Sequence, residues 1–500
     1  MGQNSVGSVS VTGKIAKGGG ILVLMRLIMR MIGLASTLIL FRILVPDDFG
    51  LVSIAMSVIG LFEVLVDFGF DQALIRKQDA GRSDFDVTWT LAMLRGGGVA
   101  LVLLVVAGPA AQFLKDARLA PMLYWLALVP LLNGLQNVGM VEFVKELQFD
   151  KELVFKVSQK LLAFGTTWAA ALLLRNYWAL VIGLVVSSFV GLFLSYLIHP
   201  YRPRFSLEGA KGVFKFSVWL MFNNVVLYAG NQTDKVLIQR QFEAKTVGVY
   251  RVAEEMSSII MELVWPVERA LYAGYSKMSN STAALRSVMF KGLSMISLFS
   301  LPVSIGMMLV ADPLVALLLG PKANGASDFM KVLVLHGAIR SCMVGVFPVF
   351  LAMGKPHLNA QVTVVTVVVR LVVLFLTFPL LGSMAAPWSL VVASCTGFVM
   401  LWWQARVFVQ IAWMDFPAAI WRPVLAVIAM ALLVPMAEYA VFGDFVPGND
   451  WILLGFRVFT GAMVYVIVLL GLWMLSGMRD GPERVLLTII RSRLTGTSSV

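Results

Sequence analysis

Long apolar runs separated by short polar or Pro/Gly punctuation repeat along the whole chain. They lie at 18–44, 50–67, 86–109, 121–140, 154–174, 177–198, 213–235, 247–270, 286–310, 328–352, 358–380, 385–405, 419–440 and 452–476. A helix needs roughly 20 apolar residues to cross the hydrocarbon of a bilayer. The pattern therefore predicts an all-α integral membrane protein of about fourteen transmembrane helices. The fifth and sixth segments are divided by the Arg175-Asn176 break alone. The longest polar interruption after the sixth segment, His199 to Lys211, is basic and reads as a linker. The expected organisation is a tail at 1–17, a six-helix lobe at 18–198, a linker at 199–212, a second six-helix lobe at 213–405, two further helices within 406–477, and a tail at 478–500.

Positive charge supplies an independent check, because the segmentation does not use it. With the N-terminus inside, 23 of the 40 Lys and Arg residues fall in cytoplasmic loops and tails and 7 in the opposite loops. Cytoplasmic loops collect Lys and Arg, so the asymmetry supports the segmentation and places both termini in the cytoplasm. The first apolar run carries Arg26 and Arg30 and lacks an obvious small-residue cleavage site, so it is expected to be a spanning helix rather than a cleaved signal.

An internal echo crosses the linker. Arg42-Ile-Leu-Val-Pro-Asp-Asp-Phe-Gly50-Leu-Val ends the first segment, and Arg240-Gln-Phe-Glu-Ala-Lys-Thr-Val-Gly248-Val-Tyr ends the seventh, with Arg and Gly eight apart in both. Both segments run in the same direction across the membrane. The two halves are then parallel repeats about an axis along the membrane normal, as in alternating-access transporters. The competing reading is that any helix end attracts a charge and a turn glycine.

Composition narrows the function. The 500 residues are 59% hydrophobic and 14% charged, with a mean hydropathy of +0.86, which leaves no room for a sizeable soluble catalytic domain. The net charge of +12 follows from the loop bias and does not call for a nucleic-acid partner. Cys342 and Cys395 sit in apolar segments, and His199, His336 and His357 are too scattered to make a metal motif. Gly7 to Ile15 resembles a phosphate loop only superficially, with one residue too many between its glycines and Ile15 in place of Ser or Thr. A chain without a nucleotide site is not an ATP-driven pump, so uphill movement draws on an ion gradient, H+ or Na+, or runs downhill as product is consumed.

Charged groups at membrane depth cost about 2.5–3.5 kcal/mol each on insertion scales and face a cavity or a partner. Arg26 and Arg30 are four apart and share a helix face; Arg95 lies beside Gly96-Gly97-Gly98. Two readings stay open: the three cations line a polar cavity, or Arg26 snorkels to the interface while the others pair with Glu63 or Asp67. The seventh segment carries a polar stripe of Asn223, Asn224, Tyr228, Asn231, Asp234 and Lys235, answered in the eighth by Arg251, Glu254, Glu255 and Glu262. Asp234 and Glu254 are compatible with a structural network with Lys235 and Arg251, whereas Asn223, Asn224 and Glu262 lie deeper. Arg370, amid Val and Leu, is either a cavity cation or half of a buried ion pair. Trp402, Trp403, Trp413 and Trp421 are expected to anchor the membrane interface.

The Arg42 to Val52 stretch, Asp67-Phe-Gly-Phe-Asp-Gln-Ala-Leu-Ile75, Gln148-Phe-Asp150 and Gln232-Thr-Asp-Lys-Val-Leu-Ile238 together resemble the polysaccharide transporters. These are the oligosaccharide-lipid flippase branch of the multidrug/oligosaccharidyl-lipid/polysaccharide (MOP) exporter superfamily, and the likeness is to bacterial exopolysaccharide flippases of the succinoglycan and colanic acid type. The resemblance implies an inner-membrane protein of fourteen helices, two pseudo-symmetric six-helix lobes plus two. Such a protein is not an enzyme. It moves an undecaprenyl-diphosphate-linked oligosaccharide from the cytoplasmic to the periplasmic leaflet, with a polysaccharide polymerase and a chain-length regulator as partners. It also implies a cation-lined cavity, a role carried over to Arg26, Arg30 and Arg95. The alternatives are a peptidoglycan-precursor (lipid II) flippase, a drug exporter of the same superfamily and, from another class, a membrane-embedded polymerase or acyltransferase.

The charge asymmetry generates a topological test. Cysteines placed in the 199–212 linker should resist a membrane-impermeant thiol reagent in intact cells, and cysteines near Asp444 should label. The reverse pattern would overturn the orientation.

Overall fold

The computed structural model describes residues 4–66, 74, 81–145, 148–207, 228, 230, 232–277, 282–320, 323, 325–443 and 450–477. Among these residues there is helix and turn but no strand. Ten stretches are long and apolar enough to cross a membrane. One of the ten, His357–Val409, would be about 80 Å long as a single helix at 1.5 Å per residue, far more than a bilayer is thick. It is two helices that pack on each other, reversed by a 3₁₀ turn in which Gly382 takes a left-handed φ of 56°.

The chain divides into two compact units, Met1–Arg251 and Val252–Val500. The first contains α1 (Asn4–Ile43), α2 (Pro46–Leu65), α3 (Arg82–Phe113), α4 (Leu119–Leu126), α5 (Leu128–Gly134), α6 (Val141–Lys145), α7 (Phe149–Leu174) and α8 (Trp178–Ile198). A helical stretch at 232–242 follows, and then α9 (Ala244–Ser257), in which the division falls. The seventh apolar segment of the sequence lies mostly outside the described residues. The expected fourth span is broken into α4 and α5 at Ala127, three residues before Pro130, which has no N–H for a continuous helix ladder.

Small residues set the close helix contacts of this unit, as packing in lipid favours. A Cβ on Gly183 of α8 would run into Thr167 Oγ1 of α7, whose hydroxyl donates back to the Ala163 carbonyl at 2.7 Å. The α7–α8 turn is made as the sequence suggests: Arg175 adopts a left-handed conformation, φ 51°, and the Asn176 side chain accepts from the Trp178 N–H at 3.1 Å. The triple glycine of α3 serves packing at one position only. A Cβ on Gly96 would lie 3.2 Å from the Gly134 Cα of α5, and one on Gly134 would lie 3.2 Å from the Gly96 Cα, whereas Gly97 and Gly98 face open space.

The first part of the basic linker is fastened to this unit. Asp86 Oδ1 of α3 accepts from the Tyr201 hydroxyl at 2.5 Å and from the Arg204 N–H at 2.9 Å. Asn137 Nδ2 donates to the carbonyls of His199 and Tyr201 at 3.3 and 2.8 Å, and Phe205 packs edge-on to Trp89. Burial, together with the Asp86 carboxylate beside it, pushes the Tyr201 phenol well above its ordinary value.

The second unit contains α10 (Ile259–Lys277), α11 (Thr282–Leu309), α12 (Ala311–Leu319), α13 (Ala326–Val344), α14 (Phe347–Ala352), α15 (Pro356–Leu381), α16 (Ala385–Val409), α17 (Asp415–Phe442) and α18 (Asp450–Leu475). The expected eighth span is interrupted at Ser258, whose hydroxyl donates to the Glu255 carbonyl at 2.7 Å. Tyr275, Met289, Phe350, Trp402 and Val434 belong to its core. Trp402 is therefore no interface anchor. It is 2% exposed and packs on Phe398 and Phe416, while its neighbour Trp403, 100° further round the helix, is exposed.

The last two helices are joined by an ion pair. Arg457 of α18 makes a bidentate pair with Glu438 of α17 at 2.7 and 2.9 Å, and its third nitrogen donates to the Leu309 carbonyl at the end of α11 at 2.7 Å. Removing one partner of such a largely buried pair, 19% and 15% exposed, strands the other charge. We expect Glu438→Ala or Arg457→Ala to cost about 3 kcal/mol and to lower the midpoint of thermal unfolding in detergent, while the Glu438→Leu/Arg457→Met double variant recovers most of the loss. Additive losses in the double variant would contradict the pairing.

Candidate anion site within the first unit

Four groups of helices in the first unit leave a cavity of about 420 Å³. Its wall is made by the C-terminal half of α1 (Ser36, Thr37, Leu40), the first turns of α2 (Phe49 to Ser57), the facing sides of α7 and α8, and Gln232, Lys235 and Arg251 from beyond the linker. Three cations line it: Lys160 from α7, Lys235, and Arg251 of α9. Hydroxyl and amide groups of Thr37, Ser53, Ser57, Ser187 and Gln232 fill the rest of its polar surface, and among the described residues no carboxylate lines it.

Helical spacing explains how each side chain arrives. On α7 the wall residues Lys160, Ala163, Phe164 and Thr167 fall at i, i+3, i+4 and i+7, one face of the helix. On α2, Phe49, Val52, Ser53 and Met56 follow the same rule. The Ser57 hydroxyl sits 3.0 Å from Gln232 Oε1 and 2.9 Å from the Ser53 carbonyl, and the Tyr228 hydroxyl donates to the Ser57 carbonyl at 2.9 Å. Gly60 leaves the space that this phenol occupies. Beside Lys235, the buried Asp234 carboxylate accepts from the Lys235 backbone N–H at 2.9 Å and from the Tyr250 hydroxyl at 2.7 Å. Asp234 thus points into its own helix packing, and Lys235 turns to the cavity.

Arg26 and Arg30 are half-buried on α1, and Arg95 is half-buried on α3; none of the three lines the cavity. Arg26, Arg30, Gly33 and Thr37 nevertheless recur at spacings of four, three and four, so they form one stripe of α1 that ends on the cavity wall. A Cβ on Gly33 would meet nothing within 4 Å, so the stripe borders open space between its cations and the cavity. Asn223 and Asn224 lie outside the described residues.

In the second unit Arg370 of α15 is 6% exposed, and its charge acts on His336 and Arg340 of α13, with Glu254 and Glu268 within electrostatic reach. His336 Nδ1 lies 2.6 Å from Ser394 Oγ and 3.3 Å from the Leu390 carbonyl of α16. Glu262 is half-buried in the first turn of α10. Arg370 thus belongs to a mixed-charge cluster rather than to an array of cations.

The cavity cations escape a reading of the sequence for a clear reason. Lys160 counts as a cytoplasmic loop charge by its position near a segment end, yet it sits three full turns into a helix that begins at Phe149. Lys235 and Arg251 sit beside carboxylates in sequence and read as members of a structural network; only folding brings both to the wall of one cavity. Chemically, three fixed cations and a ring of donors within apolar helices suit an oxyanion. Among the described residues no group of three His, Cys, Asp or Glu gathers to hold a metal ion.

Residues 39–328 match the family model described as polysaccharide biosynthesis protein. The chain is 26% identical over 321 residues to the lipopolysaccharide biosynthesis protein WzxC of Escherichia coli (strain K12), covering 62% of this chain and 64% of that one. It is 27% identical over 311 residues to the succinoglycan biosynthesis transport protein ExoT of Rhizobium meliloti (strain 1021), covering 60% and 62%. The matches thus span just under two thirds of the length of these two relatives. Among solved structures, the lipid II flippase MurJ in an inward closed conformation has a similar fold, with a TM-score of 0.69 over 91% of this chain and 99% of that one at 12% identity.

Proposed function

Because the chain belongs to the polysaccharide biosynthesis protein family, we propose that it is a flippase for an undecaprenyl-diphosphate-linked oligosaccharide. It carries the repeat unit from the cytoplasmic to the periplasmic leaflet of the bacterial inner membrane by alternating access, for exopolysaccharide or lipopolysaccharide assembly. The observation that carries this reading is the 420 Å³ cavity lined by three cations and, among the described residues, by no carboxylate, with α1, α2, α7 and α8, all of membrane-crossing length, in its wall. A diphosphate does not enter hydrocarbon unaided, and its charge is met here by Lys160, Lys235 and Arg251 with hydroxyl donors around them. The printed names of WzxC and ExoT, one a lipopolysaccharide biosynthesis protein and the other a succinoglycan transport protein, support a glycan cargo.

On this reading the Arg26–Arg30 stripe and Arg95 guide the diphosphate toward the cavity, and the prenyl tail stays in lipid throughout. Arg370, Glu262, Asn223 and Asn224 are proposed to contact the remainder of the head group. The protein acts as a transporter rather than an enzyme, with both termini cytoplasmic. A periplasmic polymerase and a chain-length regulator take up its product, and an H+ or Na+ gradient or product consumption supplies direction.

Export of glycan by a strain lacking the chromosomal copy tests this. Lys235→Ala and Arg251→Ala should each reduce export about tenfold, the equivalent of one lost charge contact of about 1.4 kcal/mol, at unchanged protein abundance. Arg30→Ala and Arg95→Ala should also reduce it, and Arg251→Lys should retain more than Arg251→Ala. Normal export by the Lys235→Ala and Arg251→Ala variants would remove the cavity from the transport path.

A further inference from the structure

The internal echo of the sequence is realised as a physical contact. Gly50 and Gly248 are related by an offset of 198 residues, as are Pro46 and Ala244. A Cβ on Gly50 would run into the Ala244 carbonyl oxygen and lie 2.9 Å from the Gly248 nitrogen. A Cβ on Gly248 would run into the Pro46 carbonyl oxygen and lie 3.0 Å from the Gly50 nitrogen. Each glycine thus abuts the carbonyl one turn ahead of the other, which is the geometry of a local two-fold axis between the first turns of α2 and α9. The same offset relates Thr37 to Lys235 and Ser53 to Arg251, and all four line the cavity. The cavity therefore straddles this axis, with hydroxyls from one copy of the repeat facing cations from the other.

The crossing adjoins the cavity: Phe49, Val52 and Ser53, within one turn of Gly50, and Arg251, three residues after Gly248, line it. At the crossing itself the two backbones approach directly, each glycine against the other helix's carbonyl. The start of α2 is tied to its own half, through the Asp47 carboxylate to Arg118 at 2.5 Å, and Arg118 in turn holds Asp116. Across the seam Arg240 stacks over the Phe113 ring at 4.6 Å. Further along α2, the Ser57–Gln232 and Tyr228–Ser57 hydrogen bonds join it to the segment that precedes α9. The residue before α9, Glu243, has φ 108°, a conformation that side chains rarely adopt, where the chain turns into the crossing.

We propose that the Gly50–Gly248 crossing is the gate that occludes the oxyanion site, and that it opens by splaying the starts of α2 and α9 about the Ser57–Gln232 contact. The proposal rests on the reading of the cavity as the diphosphate site, and it names what controls access to that site. Closure requires glycine at both positions, because any side chain pushes the two carbonyl-bearing turns apart. Opening exposes Ser53 to the face on which α2 begins, the periplasm in the expected orientation.

The test is chemical accessibility, which needs no substrate. In a Cys342→Ser/Cys395→Ser background, Ser53→Cys is treated in intact cells with a membrane-impermeant maleimide. The gate predicts slow labelling with both glycines present, and labelling faster by at least about fivefold when Gly50→Ala or Gly248→Ala is added. Unchanged labelling at normal abundance would overturn it. If the alanine variants do not accumulate, the decision passes to a Val45→Cys/Glu243→Cys pair with both glycines intact, bridged by a cleavable bis-thiol reagent. Glycan export should stop on bridging and resume on cleavage, and undiminished export by the bridged protein would equally overturn the gate. Failure of the flippase reading looks different: the glycine variants still alter labelling, but the unmodified protein supports no export.

Discussion

Hydrocarbon offers no hydrogen-bond partner, and every feature of this protein follows from that. Backbone groups must be satisfied within helices, so apolar runs become helices and the punctuation between them becomes turns. Charges inside the layer must be turned toward one another or toward an enclosed polar space. The chain uses both solutions. Arg457 and Glu438 satisfy each other in a bidentate pair, while Lys160, Lys235 and Arg251 converge on a cavity of about 420 Å³ that, among the described residues, no carboxylate lines.

The same constraint explains the weight placed on glycine. Lipid drives helices together only weakly, so association depends on close packing. Gly96 with Gly134, Gly183 with Thr167, and Gly50 with Gly248 are contacts at which any Cβ would collide. The first two hold neighbouring helices of one unit in fixed register. The third stands apart because its two members are related by the internal repeat and because residues beside them, Phe49, Ser53 and Arg251, line the cavity. Direct backbone contact of this kind is tight when shut, which is what the proposed gate over a charged site requires.

The linker illustrates how composition understates structure. His199 to Lys211 reads as a basic linker, yet within it Asp86 and Asn137 hold Tyr201 and Arg204 by backbone and hydroxyl hydrogen bonds. Its prolines suit this extended docking because they give up no hydrogen bond that a helix would need. Of the sequence-derived features of the first unit, the parallel echo at Arg42/Gly50 and Arg240/Gly248 proved the most informative, since the two glycines meet.

What the amino-acid sequence determined by itself is the all-helical, membrane-spanning character of the chain, the turn at Arg175-Asn176 and the echo between Gly50 and Gly248, whereas the breaks at Ala127 and Ser258 within expected spans were not legible in it. The legible features are local or periodic properties: apolar length, a capping side chain and a recurring motif are written in neighbouring residues. Which cations share a site was decided only by tertiary structure. Lys160, Lys235 and Arg251 are separated by up to 91 residues, and their sequence neighbours suggest loops and ion pairs. Likewise Trp402 and Trp403 are indistinguishable by type, and the 100° between successive helical residues sends one into the core and the other outward. Helix formation follows from near neighbours along the chain, but convergence of charge depends on which helix faces meet, and that is fixed by packing among elements far apart in sequence.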